Sequence, residues 1–282
     1  MTGSSFLSER QVRCALGFRA LEPSTLALVV AVASSYQRQG ERLVVTDDNG
    51  AHRPIEELVG VDGTRTHIVR LEPGPFHVAY EATVPAGPSG ATHSDDPRSN
   101  PADEATLVAL RQSRYCPSDR VEGFARSIGE LDRPLSETAH LLADWVFEHL
   151  AYEPGWSGPA DGALETLSSL RGVCRDFAHL TISMCRARGI PARMVSAYAP
   201  GLTPMDFHAV VEVRTENGWE ILDPSRLAPR SSLVRIAIGR DAADTAFATT
   251  LWGDVALDSA EVVAVIDGDL PADDHVTPVH LN

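Results

Sequence analysis

The hydrophobic period of this chain changes once, and that change limits what it can fold into. Up to residue 85, apolar and β-rich runs lie at Cys14–Leu21, Thr25–Ser35, Glu41–Thr46, Thr66–Leu71 and Phe76–Val84. Breakers such as Asp-Asp-Asn-Gly and Glu-Pro-Gly-Pro separate them. Thr66-His67-Ile68-Val69-Arg70-Leu71 alternates strictly, as a half-buried strand does. Short strands this closely spaced predict a β-sandwich-like, antiparallel domain over residues 1–85. Residues 86–103, dominated by Pro, Gly, Ser, Asp and Asn, read as a linker. Helical spacing then takes over at Ala105–Gln112, Arg120–Ile128, Leu135–Leu150, Ala163–Leu170 and Val173–Arg188. Strands follow at Ala192–Tyr198, Phe207–Thr215, Trp219–Leu222, Leu233–Ile238 and Glu261–Ile266. The expectation is an α+β fold, with a second domain spanning 104–282 and its last strands forming a C-terminal extension of that domain.

Composition narrows the chemistry. The 24 basic side chains of the 282 residues are all arginine. A chain without lysine cannot carry a phosphate-binding P-loop, a kinase strand lysine or a Schiff-base lysine. A net charge of −15, with the arginines scattered, argues against nucleic acid or an anionic membrane as partner. The longest apolar run, Leu26–Ala33, is far short of a membrane span, and residues 1–13 lack the pattern of a secretory signal. The expectation is a cytoplasmic protein. Cys14, Cys116, Cys174 and Cys185 form no CxxC pair, which speaks against zinc and redox motifs. Cys174 and Cys185 are eleven residues apart on one helix, about 16 Å along its axis, too far for a disulfide or a shared metal. His140 and His149 fall about 180° apart around another helix and cannot share a metal either.

Three residues stand out. Cys174 opens the most apolar helix, where free N–H groups and the helix dipole favour a thiolate. Taken alone, a buried inert thiol is the commoner fate of such a cysteine. In Phe207–Arg214 the odd positions are apolar, so His208 falls on the more polar even face, with Glu212 and Arg214. Asn217-Gly218 signals a hairpin between that strand and the one ending at Asp223. A two-residue Asn217–Gly218 turn or a loop from Thr215 to Gly218 both place His208 and Asp223 on one face. The longer loop makes them diagonal neighbours with Cβ atoms about 7 Å apart or closer. A nucleophile, a base and an orienting acid then meet from a helix start and a hairpin.

With these residues in place the sequence resembles a known family. Gly172-Val173-Cys174-Arg175-Asp176-Phe177-Ala178-His179-Leu180, Gly189-Ile190-Pro191-Ala192-Arg193, Phe207-His208-Ala209-Val210-Val211-Glu212-Val213 and Leu222-Asp223-Pro224-Ser225 resemble the core of the transglutaminase-like superfamily. The resemblance covers about residues 134 to 247, and the preceding β region is similar to the N-terminal domain of bacterial members. It implies a papain-like core of helices on an antiparallel sheet, with Cys174 as nucleophile, His208 as general base and Asp223 as its partner. It implies no cofactor and no metal, and the calcium loops of the animal cross-linking enzymes have no counterpart here. Tyr152, Trp156 and Asp176 are the substrate-binding candidates, core packing, loop packing and a local salt bridge being their alternatives. The activity implied is thiol-dependent acyl transfer on a peptide or protein amide, as a cysteine protease or amidase. The alternatives are an amide-forming acyltransferase and a silent peptide-binding module.

Overall fold

Alternation becomes structure in β1 (Arg10–Ala20), where Val12, Cys14 and Leu16 turn inward while Gln11, Arg13 and Ala15 face out. The structure is a computed structural model that describes residues 9–85 and 104–281. The expected linker, 86–103, lies outside the described residues. β2 (Ser24–Leu28), β3 (Gln39–Asp47), β4 (Ile55–Val59), β5 (Arg65–Leu71) and β6 (Gly74–Val84) follow β1. After the gap come α1 (Glu104–Ala109), α2 (Glu122–Ser127), α3 (Leu135–His149), β7 (Ala151–Tyr152), α4 (Ala163–Ser169), β8 (Arg171–Gly172) and α5 (Cys174–Ala187). The chain continues through β9 (Ala192–Tyr198), β10 (Phe207–Thr215), β11 (Gly218–Leu222), β12 (Val234–Gly239), α6 (Ala242–Thr245), β13 (Ala248–Trp252) and β14 (Val255–Ile266).

Two antiparallel sheets, β14-β1-β6-β3 and β13-β2-β5-β4, enclose one core built from Leu16, Phe18, Leu28, Val69, Phe76 and Tyr80 among others. This corrects the expected domain division. β13 and β14 do not extend the second domain; they return to the first, with β14 running against β1 from Arg10↔Ile266 to Ala20↔Val255. Partners some 250 residues apart leave no local signal, because period 2 reports a strand without saying which sheet it joins. The expected strand Thr25–Ser35 is also shorter. It stops at Leu28, and Val29 to Ala33 run on as buried, irregular chain whose backbone groups bond to Phe247 and Arg235. β4 was not expected, because most of its side chains are exposed and lack an alternating pattern.

The second unit carries the sheet β11-β10-β9-β12, antiparallel throughout, with α5 packed on it and α2, α3 and α4 around α5. Residues 176–186 of α5 are buried without a break, polar side chains such as Asp176, His179 and Arg186 included, because the sheet and the other helices surround it. Leu142 and Leu180 are fully buried in this core, each contributing about 1.5–3 kcal/mol. Tyr198, Val234 and Ile236 of the sheet belong instead to the first core, and the Tyr198 hydroxyl donates to the Val30 carbonyl at 2.8 Å. No helix among the described residues is long and apolar enough to cross a membrane.

Candidate active site

The site forms where α5 begins. Gly172 is required there: a Cβ would stand 2.6 Å from the Asp176 side chain. Val173 is extended and caps the helix, which makes Cys174 its first residue. The first N–H groups of a helix have no partner within it, so the Cys174 amide is available to a ligand. Cys174 is half-buried and unpaired, whereas Cys14, Cys116 and Cys185 are buried. Burial pushes the thiols of those three up to about 11, 12 and 12. Only Cys174 is open to a reagent.

The hairpin supplies the other two groups. β10 pairs with β11 in the register Val211↔Leu222 to Thr215↔Gly218, so the turn is Glu216–Asn217 with Gly218 at φ 92°. That register is the one expected for the longer loop, and it makes His208 and Asp223 diagonal neighbours. His208 Nε2 lies 2.8 Å from Asp223 Oδ2. Asp223 Oδ1 accepts from the Ser225 N–H at 2.9 Å and the Ser225 hydroxyl at 2.7 Å. Sequence reasoning passed over Ser225, although Asp-Pro-Ser carries an Asx-turn signal. The more polar even face of β10 is buried as well. His208, Val210 and Glu212 are all buried, because that face packs against Val195, Ala197, Ile221 and Leu233 and Glu212 is held by two arginines.

Burial is the largest influence on the His208 imidazole and would push its proton off. The Asp223 charge, the hydrogen bond to it and the Cys174 thiol oppose burial and raise the imidazole to about 10. Burial likewise opposes charge on Asp223, but the imidazolium and Ser225 hold its carboxyl below the usual range. Cys174 and Asp223 are thus the two side chains that tune His208. His179, one turn along α5, is no rival base. Its Nε2 accepts from the Ala242 N–H at 3.2 Å, its ring stacks on Tyr115 at 5.1 Å, and burial lowers it to about 4.

The three substrate-binding candidates separate. Asp176 is fully buried, and its carboxylate accepts from the Val173 N–H at 2.8 Å, the Ser157 hydroxyl at 2.5 Å and Arg175. It ties the loop and the helix start together and has no free face for substrate, which corrects that expectation. Asp176→Ala should cost about 1–3 kcal/mol in urea unfolding, by leaving these donors unmet. Trp156 is 52% exposed, with the Arg171 guanidinium 4.7 Å from its ring centre. Tyr152 stands opposite Gly172 in the β7–β8 pair, two residues before Cys174, with its ring 5.8 Å from that of Phe177. Among the described residues no three His, Cys, Asp or Glu side chains converge as a metal site.

The family model for the transglutaminase-like superfamily core matches residues 122–224. The chain carries a transglutaminase-like domain. A crystal structure described as that of a candidate cysteine protease from Cytophaga hutchinsonii is similar over 99% of this chain and 99% of its own. The TM-score is 0.86 and the identity 29%, so the transglutaminase-like core and the β domain recur there in one arrangement. An uncharacterized protein of Mycobacterium leprae (strain TN) is 32% identical over 146 residues, 49% of this chain and 52% of that protein. One of Mycobacterium bovis is 29% identical over 146 residues, covering 52% of this chain and 43% of that protein. The chain spans about half the length of these curated relatives. The matched region takes in Cys174, His208 and Asp223.

Proposed function

We propose that the transglutaminase-like domain performs thiol-dependent acyl transfer on amide bonds, as a cysteine protease or amidase. The observation that carries this reading is a buried imidazole bound to a buried carboxylate at 2.8 Å, with the half-exposed thiol of the helix start among the groups that raise it. With the proton already on His208, the Cys174 sulfur forms a bond to the carbonyl carbon, while the carbonyl π pair moves to oxygen. Collapse restores the carbonyl and breaks the C–N bond, and the leaving nitrogen takes the proton from His208. Water then attacks the thioester with His208 again as base, releasing the acid. Asp223 fixes the ring tautomer and offsets the imidazolium charge. Hydrolysis is favoured over amide formation because water needs no binding pocket of its own. The Cytophaga hutchinsonii similarity supports the same reading.

The test uses the whole chain with iodoacetamide and p-nitrophenyl acetate. Mass spectrometry of the digest should find alkylation at Cys174 ahead of the other three cysteines, because burial raises those thiols. The ester should give a burst of nitrophenol and an acetyl group on Cys174. Labelling spread evenly over the cysteines, with no acetylated Cys174, would sink the mechanism.

A further inference from the structure

Asp223 opens an irregular loop, 223–229, that leaves the end of β11 and arrives at a buried arginine, Arg230. Ser225 fixes the carboxylate within this loop, and the pair of Arg226 with Asp144 of α3 holds its middle. Its base is held by Arg230. That residue is 1% exposed, and its Nη1 donates to the Ile221 carbonyl at 3.1 Å. The side chain that follows the loop is thus bonded to the strand that precedes it.

A guanidinium this buried needs an opposite charge, and a distant part of the chain supplies it. The Asp273 carboxylate accepts from Arg230 Nε at 3.0 Å, from Nη2 at 2.7 Å and from the Arg230 backbone N–H at 2.7 Å. Nη2 also donates to the Thr277 carbonyl at 3.2 Å. Asp273 belongs to a segment without helix or strand, 273–281, that runs along the outer edge of β11. There the Ile221 N–H donates to the Val279 carbonyl at 2.8 Å, and His280 Nδ1 donates to the Trp219 carbonyl at 2.7 Å. Arg230 and His275 also line a small cavity beside Asp223, with His140, Asp144 and Arg226.

Resting on the acyl-transfer reading, we propose that Arg230 is a positioning residue of the site, acting through Asp223. Its guanidinium ties the two ends of the Asp223 loop together, and segment 273–281 supplies the charge that keeps it there. Only a planar fork does both, since Nη1 reaches Ile221 while Nε and Nη2 grip Asp273. With its base released, the loop lets the Asp223 carboxylate drift from the imidazole, and catalysis is sensitive to displacements of about 1 Å.

Arg230→Lys keeps a positive charge for Asp273 but loses the fork that also reaches Ile221. Single-turnover acetylation of Cys174 by p-nitrophenyl acetate should slow by about 10²-fold. The alkaline limb of its pH profile should move to lower pH, because burial lowers His208 and a displaced Asp223 opposes that less. In the Asp223→Asn chain the same substitution should cost nothing further, since the residue it acts through is already disabled. Asp273→Asn leaves the Arg230 side chain whole, with Asp274 still 3.6 Å from it. It should move both readouts in the same direction by a smaller factor. Circular dichroism reports which variants are folded. Unchanged acetylation and an unchanged limb in the folded variants overturn the proposal. So does a loss that persists in full in the Asp223→Asn chain, because Arg230 then acts on the fold and not through Asp223. Either result leaves the acyl-transfer reading standing. An unsubstituted chain that takes up no acetyl group overturns both.

Discussion

His208→Ala and Cys174→Ala each lower ester or amide turnover by about 10⁶-fold, because nucleophile and base act as one unit. Asp223→Asn lowers it by about 10⁴-fold, since an amide that donates to Nε2 imposes the wrong tautomer. The measurement is single-turnover acylation of Cys174 followed by release of nitrophenol. A His208→Ala chain that acylates at the original rate would remove the base from the mechanism. The pH profile has a definite sign. Burial opposes the His208 proton while Asp223 and the Cys174 thiol retain it, so the imidazolium persists to about 10. The rate should fall on the alkaline side near that value. In Asp223→Asn the opposition to burial is weakened, and the alkaline limb should move to lower pH. Stability follows the same linkage. The raised imidazole stabilises the fold fully below its ordinary value of 6.5, and this is lost as pH rises towards about 10. The lowered Asp223 stabilises it above the ordinary carboxylate value of 3.8, and that part is lost in acid. The pair therefore supports the fold most between those two ordinary values.

Glu212→Ala should cost about 3–5 kcal/mol, the penalty for leaving a buried charge without its partner. Glu212 is 1% exposed on β10, with Oε2 2.6 Å from Arg193 Nε and Oε1 2.5 Å from Arg235 Nη2. Arg193 lies 3.8 Å over the Trp219 ring and is partly open to water, so it relaxes outward at little cost. Arg235 cannot. Its side chain is 8% exposed, and its Nε is buried without a partner. Urea unfolding followed by circular dichroism measures the loss, and a change below about 1 kcal/mol would contradict it. Replacing Glu212 and Arg235 together by methionine should recover a large share, because an apolar pair of similar volume needs no desolvation of charge. Glu212 shares the His208 face of β10 but lies four residues, about 13 Å, along the strand, with its carboxylate held by Arg193 and Arg235, so alkylation of Cys174 in folded Glu212→Ala should proceed normally.

Much of this was legible from local pattern. The change of period separated the β region from the helices, because the side-chain repeats of strand and helix differ. The hairpin parity placed His208 and Asp223 together, because period 2 fixes faces in any odd-sum register. What failed, failed for want of partners. The even face of β10 read as the more polar one because it carries Glu212 and Arg214, and only the arginines of β9 and β12 make a buried Glu212 tolerable. Asp176 looked free to bind substrate because nothing in the sequence says that the Val173 amide and Ser157 converge on it.

The sequence by itself determined the strand and helix content, the thiol at a helix start and the shared face of His208 and Asp223, all of which follow from short-range periodicity and turn chemistry. Only the tertiary structure decided that β13 and β14 close the first domain, that Tyr152 stands beside the start of α5 and that three of the four cysteines are sealed away. Each of these depends on contacts between residues far apart in the chain, or on burial that no single segment encodes.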